Sequence, residues 1–546
     1  MNLNLDLDNR SRRTDWLAWM ALGLLWLFHA VSNFVWLKID TRPPFWDTAN
    51  HAITAIHLSR SFAAIDLSTA MRQWVTSSVY PPLMHWLCTP LILLFWPTAD
   101  VLLGIQTFFL GVLLIATYGI AAHYGGRKTG LLAAFIVSMY PLIYGLERHF
   151  LTDIPLVAMV ALSIWLLVRS EGFERRGASI LCGLALGLGL LTKRSFVVFA
   201  GGPFFVAALA AVISRSRRRL LNMGLALLAA FLAAAPWYLA NLGSTLDFFR
   251  GQSVYAGVEG DPAVGSLNAW LYYARYFVGA QVLLPLAIVF VVSLVLWLIK
   301  RRLRYETMFL LLGWIVLPYV ASSLFVNKDP RYTMSYLPAV AIITALGLAS
   351  IKPKAIRFGL VTLLILYASL QFLGLTWGLS SRLPPGLLPN QISLRLGSSS
   401  FPVYAEKVHI ASPPEVQDWP IQAILHDVLR SSQDLGTRQR KLVVLPDSPC
   451  FEQNVFKYFV ILDQMPIEVV VVTGVVEVAD AREQILASDF LVTKTGYLGP
   501  AWSIQQSRLY ATELHDPSSE LGRRFQRIGE YPLPDGSLAE LYRRIR

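Results

Sequence analysis

Runs of about 20 apolar residues recur from Trp16 to Gly378, each long enough to cross roughly 30 Å of hydrocarbon as a helix. This feature restricts the fold most, because a chain inside lipid must satisfy its own backbone hydrogen bonds. Candidate spans lie at 16–37, 100–122, 130–146, 153–168, 178–191, 195–214, 220–240, 278–299, 307–326, 333–350 and 357–377, about 11 in all. Beyond residue 378 the polar stretches lengthen and no spanning run follows. The expected fold class is a polytopic α-helical membrane protein with a C-terminal soluble α/β domain. Its membrane domain covers 1–378, with a long first outer loop at 38–80, and its soluble domain covers 379–546. The run from Trp16 to Leu37 exceeds a signal-peptide core and lacks a small-residue cleavage site, so it is expected to stay as the first span.

One segment decides the topology. "YPPLMHWLCTPLILLFWP", residues 80 to 97, has an uninterrupted apolar stretch of only 14 residues, Leu83 to Trp96, with Pro90 inside it. Stretches of that length are commonly interfacial or re-entrant. Lys and Arg counts arbitrate, since cytoplasmic loops collect them. The loops 123–130, 169–177, 215–219, 300–305 and 351–357 carry 16 basic residues, whereas 146–153, 192–195, 241–277 and 327–332 carry seven. If 80–97 does not span, the tail with Arg10, Arg12 and Arg13 shares a side with the 16. The N-terminus is then inside, and the C-terminal domain outside.

The net charge of +12 thus belongs mainly to inner loops, and no zinc-finger spacing or basic–aromatic stretch points to nucleic acid. Cys88, Cys182 and Cys450 form no framework and no metal-ligand cluster.

The outer loops gather ionisable residues. The first begins "KIDTRPPFWDTANHAITAIHLSRSF". Asp47 there is placed to cap a helix whose Ile53, Ile56 and Phe62 form an apolar stripe suited to the membrane surface. The second, "YGLERHFLTDIPL", crowds Glu147, Arg148, His149 and Asp153 between two spans; Asp153 again suits a helix cap, with Pro155 just inside. The third, "TKRS", puts Lys193 and Arg194 on the outer side against the charge bias, where snorkelling to the interface is the plain alternative. The last, "NKDPRYTMSYLPA", holds Lys328, Asp329, Arg331 and Tyr332. Acids early and bases late suit group transfer from a membrane-bound phosphodiester. A carboxylate can act as general base, and cations can hold a phosphate as it leaves. No metal site is inferred, although the surface acids leave room for a divalent ion.

These loops resemble the GT-C membrane glycosyltransferases, in particular the bacterial branch similar to protein O-mannosyltransferases and the lipid A aminoarabinose transferase, the family 39-like group. The resemblance rests on "PFWDTANHA", "YPPLMHWL", "ERHFLTDIPL", "GLGLLTKRSFVVF", "APWYLAN", "KDPRYTMSYLPA" and "YPLPDGSLAELYRR", which fall in the family's order across almost the whole chain. It implies a polyprenyl-phosphate-linked sugar donor, transfer at the outer face with inversion, and a lipid, glycan or protein acceptor. It implies residence in the plasma (inner) membrane, with an extracytoplasmic C-terminal domain. Asp47 and Asp153 match the catalytic acids; Lys193, Arg194, Lys328 and Arg331 match the donor-phosphate cations; Glu147, Arg148, His149 and Tyr332 are candidates for substrate binding. Relatives often carry Asp-Glu in the first loop, but here Asp47 is followed by Thr48, so the second carboxylate falls to Asp153 or Glu147. No protein cofactor is implied.

From about 380 onward, "KLVVLPDSP", "EVVVVTGVVEV" and "SDFLVTKTG" read as strands and "IQAILHDVLRSS" and "FEQNVFKYFVILDQM" as helices. "YPLPDGSLAELYRR" reads as two strands about an Asp-Gly turn. No phosphate-binding glycine loop is present. Two rival functions are a transporter or lipid flippase, and a non-enzymatic assembly scaffold. A transporter should show charged mid-span residues and repeated halves, yet His29 and Asn33 are the main polar residues inside a span and no repeat is visible.

Overall fold

The computed structural model describes residues 3–64, 68–69, 80–300, 305–397, 399–436, 438–472, 478–500 and 504–545. Parts of the loop expected at 38–80, namely 65–67 and 70–79, and residues 301–304 of the loop expected at 300–305 lie outside that set. The chain packs as two units. One comprises 1–36, 68–87 and 103–414, and the other 37–67, 88–102 and 415–546.

The first unit is helical because its sequence is apolar over long, uncharged stretches. Among the described residues, six helices are long and apolar enough to cross a membrane: Trp16–Ile39, Asp100–Gly125, Phe196–Ile213, Arg217–Ala240, Thr307–Leu324 and Lys354–Trp377. A bent pair, Leu267–Gln281 with Leu284–Ile299 at 116°, raises the number to seven if it counts as one span. The expected span at 130–146 is two helices, Arg127–Ser138 and Pro141–Leu146. They are divided just before Pro141, a residue that cannot donate the next helical bond. The 80–97 segment forms one 13-residue helix, Leu83–Phe95.

Loops of alternate parity meet at opposite ends of the helices. At one end, Asn222 Nδ2 donates to the Phe173 carbonyl (2.8 Å) and Arg219 Nε to Glu174 (2.6 Å). At the other, Tyr238 donates its hydroxyl proton to the Leu190 carbonyl (2.9 Å), and the Leu83 amide donates to Leu191 (2.9 Å). Close helix approach makes this possible. A Cβ on Gly183 would stand 2.0 Å from the Ala226 carbonyl, and one on Gly187 2.7 Å from that of Ala230. Small residues four apart on both helices therefore let the backbones touch, as small-residue pairs do in membranes. A β-hairpin, Gln391–Leu396 with Ser399–Ala405, also belongs to this unit. It is fastened by Gln371 Nε2 to the Ala405 carbonyl (2.6 Å) and Tyr367 to Val403 (2.7 Å).

The second unit is built on a five-stranded sheet in the order Ile467–Val470, Arg440–Val444, Phe490–Lys494, Leu538–Arg544, Phe525–Pro532. The first three strands are parallel and the last two antiparallel to their neighbours. Strand alternation divides the core. Leu442, Val444, Phe490 and Val492 join one cluster with the Ile421–Arg430 and Gln453–Leu462 helices. Val443, Leu445 and Leu491 join the other, with Ile485, Tyr510 and Leu514. Gly536 at φ 80 makes the expected Asp-Gly turn. The Asp47–Ala63 helix lies in this unit and packs on Gln453–Leu462. Ile53 and Ile56 are buried, so that part of the stripe is covered by protein rather than offered to a membrane surface.

Candidate active site

Three interhelical loops meet in the helical unit. The Asp153–Arg169 helix begins at Asp153, whose carboxylate is only 4% exposed. Lys193, from the turn between Leu190 and Phe196, donates from Nζ to Asp153 Oδ1 at 3.0 Å. Arg331 Nη1 stands 3.9 Å from Asp153 Oδ2. One buried carboxylate thus gathers a lysine and an arginine from loops separated by 40 and 178 positions in the chain. Asp153 does not cap its helix: Thr152 occupies the cap position and no side-chain cap bond forms. The carboxylate is spent on the cations instead.

The two cations are themselves held. Arg331 donates from Nε and Nη2 to Asp329 Oδ1 and Oδ2 (2.9 and 2.7 Å), and its amide donates to Asp329 Oδ1 (2.8 Å). Burial would raise the Asp329 carboxyl, but the Arg331 guanidinium and these hydrogen bonds outweigh it and hold it at about 2. Lys193 Nζ also lies 5.6 Å from the centre of the Tyr332 ring, within cation–π range. Tyr332 donates its hydroxyl proton to Asn327 Oδ1 (2.9 Å).

Lys328 is buried. Its amide donates to Asp261 Oδ2 (2.6 Å), its Nζ to the Phe325 carbonyl (2.5 Å), and burial pushes its ammonium below the usual lysine range. Arg194 lies between the rings of Trp237 and Phe248, 5.5 and 4.7 Å from their centres. Its Nε also donates to Thr245 Oγ1 (3.4 Å), whereas Lys193 turns to the carboxylate. Asp261 and Asp329 were not among the residues singled out for a role. The i, i+2 spacing in "KDPR" was the available signal for Asp329; Asp261, 67 positions from Lys328, left none.

Glu147 and Arg148 belong to a second, buried cluster. Arg148 donates to Asn33 Oδ1 (3.0 Å) and Thr376 Oγ1 (2.9 Å), and lies 5.0 Å from the Trp36 ring centre. Glu147 lies 3.9 Å from His29 Nδ1. Arg148 thus ties the loop that leads to Asp153 to Asn33 of the first span. Arg148→Met should destabilise the protein by about 1–3 kcal/mol, because it leaves the buried Asn33 and Thr376 oxygens without their charged donor. A lowered unfolding temperature in detergent, relative to wild type, would show this. His149 follows this pair, and its amide donates to Leu146 (3.1 Å).

Asp47 lies in the sheet-containing unit. It is the first residue of its helix and not the cap; Trp46 holds that position, with φ 48 and ψ −124 and no side-chain cap bond. The Thr48 amide donates to the Phe45 carbonyl (3.1 Å), closing a tight turn with Trp46 and Asp47 at its centre. That backbone region favours glycine, and a non-glycine residue there costs on the order of 1–3 kcal/mol. Two carboxylates hold Trp46 in place. Glu452 Oε1 accepts its amide proton (3.0 Å), and Asp447 Oδ1 accepts its indole proton (3.1 Å). Burial raises the Glu452 carboxyl to about 7, against the pull of its backbone donors.

Residues 79–240 match the family described as dolichyl-phosphate-mannose-protein mannosyltransferase. That range contains Asp153, Lys193 and Arg194. An undecaprenyl phosphate-alpha-4-amino-4-deoxy-L-arabinose arabinosyl transferase of Pectobacterium carotovorum is 30% identical over 236 residues, 42% of this chain and 41% of that one. The protein of the same name from Aeromonas hydrophila is 27% identical over 263 residues, covering 44% and 46%. The chain thus spans less than half the length of these curated relatives. Among solved structures, ArnT from Cupriavidus metallidurans bound to undecaprenyl phosphate superposes with TM-score 0.57 at 14% identity, over 95% of this chain and 98% of that one. The archaeal oligosaccharyltransferase AglB from Archaeoglobus fulgidus, with an inhibitory peptide and a dolichol-phosphate, gives 0.55 at 10% identity over 96% and 74%. The chain resembles these membrane glycosyltransferases in sequence over part of its length and shares their fold over nearly all of it.

Proposed function

We propose that this chain is an inverting glycosyltransferase of the plasma (inner) membrane, moving a sugar from a polyprenyl-phosphate-linked donor to a hydroxyl of a lipid, glycan or protein. The observation that carries the reading is the cluster of Asp153, Lys193 and Arg331 at one end of the helical unit. A loop-borne pair of cations beside apolar helices suits a ligand that is both lipid-anchored and phosphorylated. The Pectobacterium and Aeromonas relatives are named for an undecaprenyl phosphate-linked sugar, and both solved neighbours carry a polyprenyl-type phosphate, which supports the donor class.

In this reading the acceptor oxygen attacks the anomeric carbon while its proton passes to a carboxylate base, the role that the sequence resemblance, and not the packing of the helical unit, gives to Asp47. The bond from that carbon to the phosphate oxygen breaks on the opposite face, and the electron pair leaves with the polyprenyl phosphate. Lys193 and Arg331 neutralise the charge that develops there, with Lys328 and Arg194 adding positive potential. Asp153 orients the two cations. His149 and Tyr332 shape the loops around the sugar, whereas Glu147 and Arg148, in their separate buried cluster, hold the loop that leads to Asp153 rather than touching substrate. The transferred group is a hexosyl or pentosyl unit.

The proposed topology has eleven spans: the six long helices, the bent pair and the four shorter stretches at 130–146, 153–168, 178–191 and 333–350. The N-terminus is then cytoplasmic, the 80–97 segment re-entrant, and the C-terminal part from 379 extracytoplasmic, in line with the basic-residue count.

The test is transfer by the full-length protein in nanodiscs. Undecaprenyl-phosphate-linked 4-amino-4-deoxy-L-arabinose and mannose serve as donors, and envelope lipid and glycan extracts as acceptors. Mass spectrometry should find a glycosylated product together with released undecaprenyl phosphate. Movement of intact donor across vesicles without release would favour a flippase and sink this reading. Because protein cations take the leaving charge, transfer is expected to persist in EDTA; complete loss on chelation, restored by a divalent ion, would refute that part.

A further inference from the structure

The Asp47 turn is held from far along the chain. Asp447 and Glu452 are cross-strand partners in a two-residue-deep antiparallel hairpin, Asp447–Ser448 with Phe451–Glu452. Phe451, between them, is fully buried in the sheet's core. The hairpin is therefore anchored while its two carboxylates reach outward to one residue, Trp46. Glu452 does two jobs at once. Its Oε1 and Oε2 accept the Val455 and Asn454 amide protons (3.2 and 2.7 Å), capping the Gln453–Leu462 helix, and Oε1 also accepts that of Trp46. Glutamate is an unusual cap, since shorter Asp, Asn, Ser and Thr reach those amides more readily. Its extra methylene is what the second job requires. At the far end of the same two helices, Arg60 Nη2 donates to the Leu462 carbonyl (3.2 Å). The preceding segment is fastened too: the Thr41 amide donates to the Glu415 carbonyl (2.9 Å), and that of Glu415 to Asp40 Oδ1 (2.8 Å).

We propose that the Asp447–Glu452 hairpin is a clasp whose purpose is to position Asp47, with Glu452 as the principal positioning residue. The clasp holds Trp46 in a backbone conformation that a tryptophan adopts only under constraint, and so fixes where the first turn of the Asp47–Ala63 helix begins. The inference rests on the reading of Asp47 as the general base. It gives the C-terminal part a direct share in catalysis, through the main chain of the first outer loop and without touching substrate.

Glu452→Asp separates the two jobs. Aspartate can cap the Gln453–Leu462 helix but is one methylene short of Trp46. In the full-length protein in nanodiscs, assayed with whichever of the two undecaprenyl-phosphate sugars the wild type transfers faster, kcat should fall about tenfold. The KM for that donor should stay within twofold, and the unfolding temperature near wild type. Hydrogen exchange should quicken in peptides covering 45–50 and not in those covering 453–460. Wild-type kcat in a folded Glu452→Asp protein overturns the clasp and leaves the base reading standing. Asp47→Asn in the same assay separates the other case: if it transfers at the wild-type rate, the base reading fails and this inference with it. Should Glu452→Asp not fold, Trp46→Phe takes its place, because it removes the indole bond to Asp447 and leaves the cap intact. A fall in kcat at constant donor KM supports the clasp, and an unchanged kcat overturns it.

Discussion

Asp47→Asn is expected to lower sugar transfer by about 10²–10⁴-fold, the range that a positioned general base contributes. The amide keeps the size of the carboxyl and loses its basicity, so fold, membrane insertion and donor affinity should survive. The local geometry favours this separation. Trp46, not Asp47, holds the cap position of this helix, and the turn before it is closed by the Phe45–Thr48 backbone bond. A scaffold protein would be indifferent to the change, and a transporter would show altered flux rather than loss of product. Product formation and polyprenyl-phosphate affinity, measured on the same preparation, distinguish these outcomes.

Lys193→Met should reduce kcat/KM for the donor by roughly 10–100-fold, as expected for one charge-assisted hydrogen bond worth about 1.5–3 kcal/mol. The effect should appear largely as weaker donor binding and should shrink at high ionic strength, since screening already weakens the wild-type contact. Lys193 is 22% exposed at its side chain while its partner Asp153 is 4% exposed. Losing the lysine thus leaves Asp153 with Arg331, at 3.9 Å, as its remaining cation among the described residues. Lys193→Arg should recover part of the loss by restoring charge, but not all of it. A planar guanidinium on a longer stem does not reproduce a point-charge contact at 3.0 Å to Asp153 Oδ1. Kinetics with varied donor, at two salt concentrations, check all three statements.

Much of this was legible in the sequence. Each candidate span coincides with a helix or a broken pair of helices, because long uncharged runs leave the chain little else to form. Loop parity from basic residues brought Asp153, Lys193 and Arg331 to one end, and the structure joins them there. The strands read at "KLVVLPDSP" and "SDFLVTKTG" form as Arg440–Val444 and Phe490–Lys494.

What the sequence hid depends on partners far away in the chain. Asp47 looked like a cap because nothing local announces that Glu452, some 400 positions on, holds the residue before it. The Ile53 and Ile56 stripe looked like a membrane face because an amphipathic pattern does not say what covers it. Glu147 and Arg148 looked like loop charges, and only packing reveals His29, Asn33 and Thr376 as their neighbours. Composition also drew a boundary at 378, whereas the hairpin from Gln391 to Ala405 packs with the helices through Gln371 and Tyr367.

The central claim is that the outer-loop cations receive the phosphate of a lipid-linked sugar. A cryo-electron-microscopy map of the protein in nanodiscs with undecaprenyl phosphate tests it most directly. The account predicts phosphate density within hydrogen-bonding distance of Lys193 Nζ and the Arg331 guanidinium. Density seated instead among Arg217, Arg218 and Arg219 at the opposite end of the helices would contradict it.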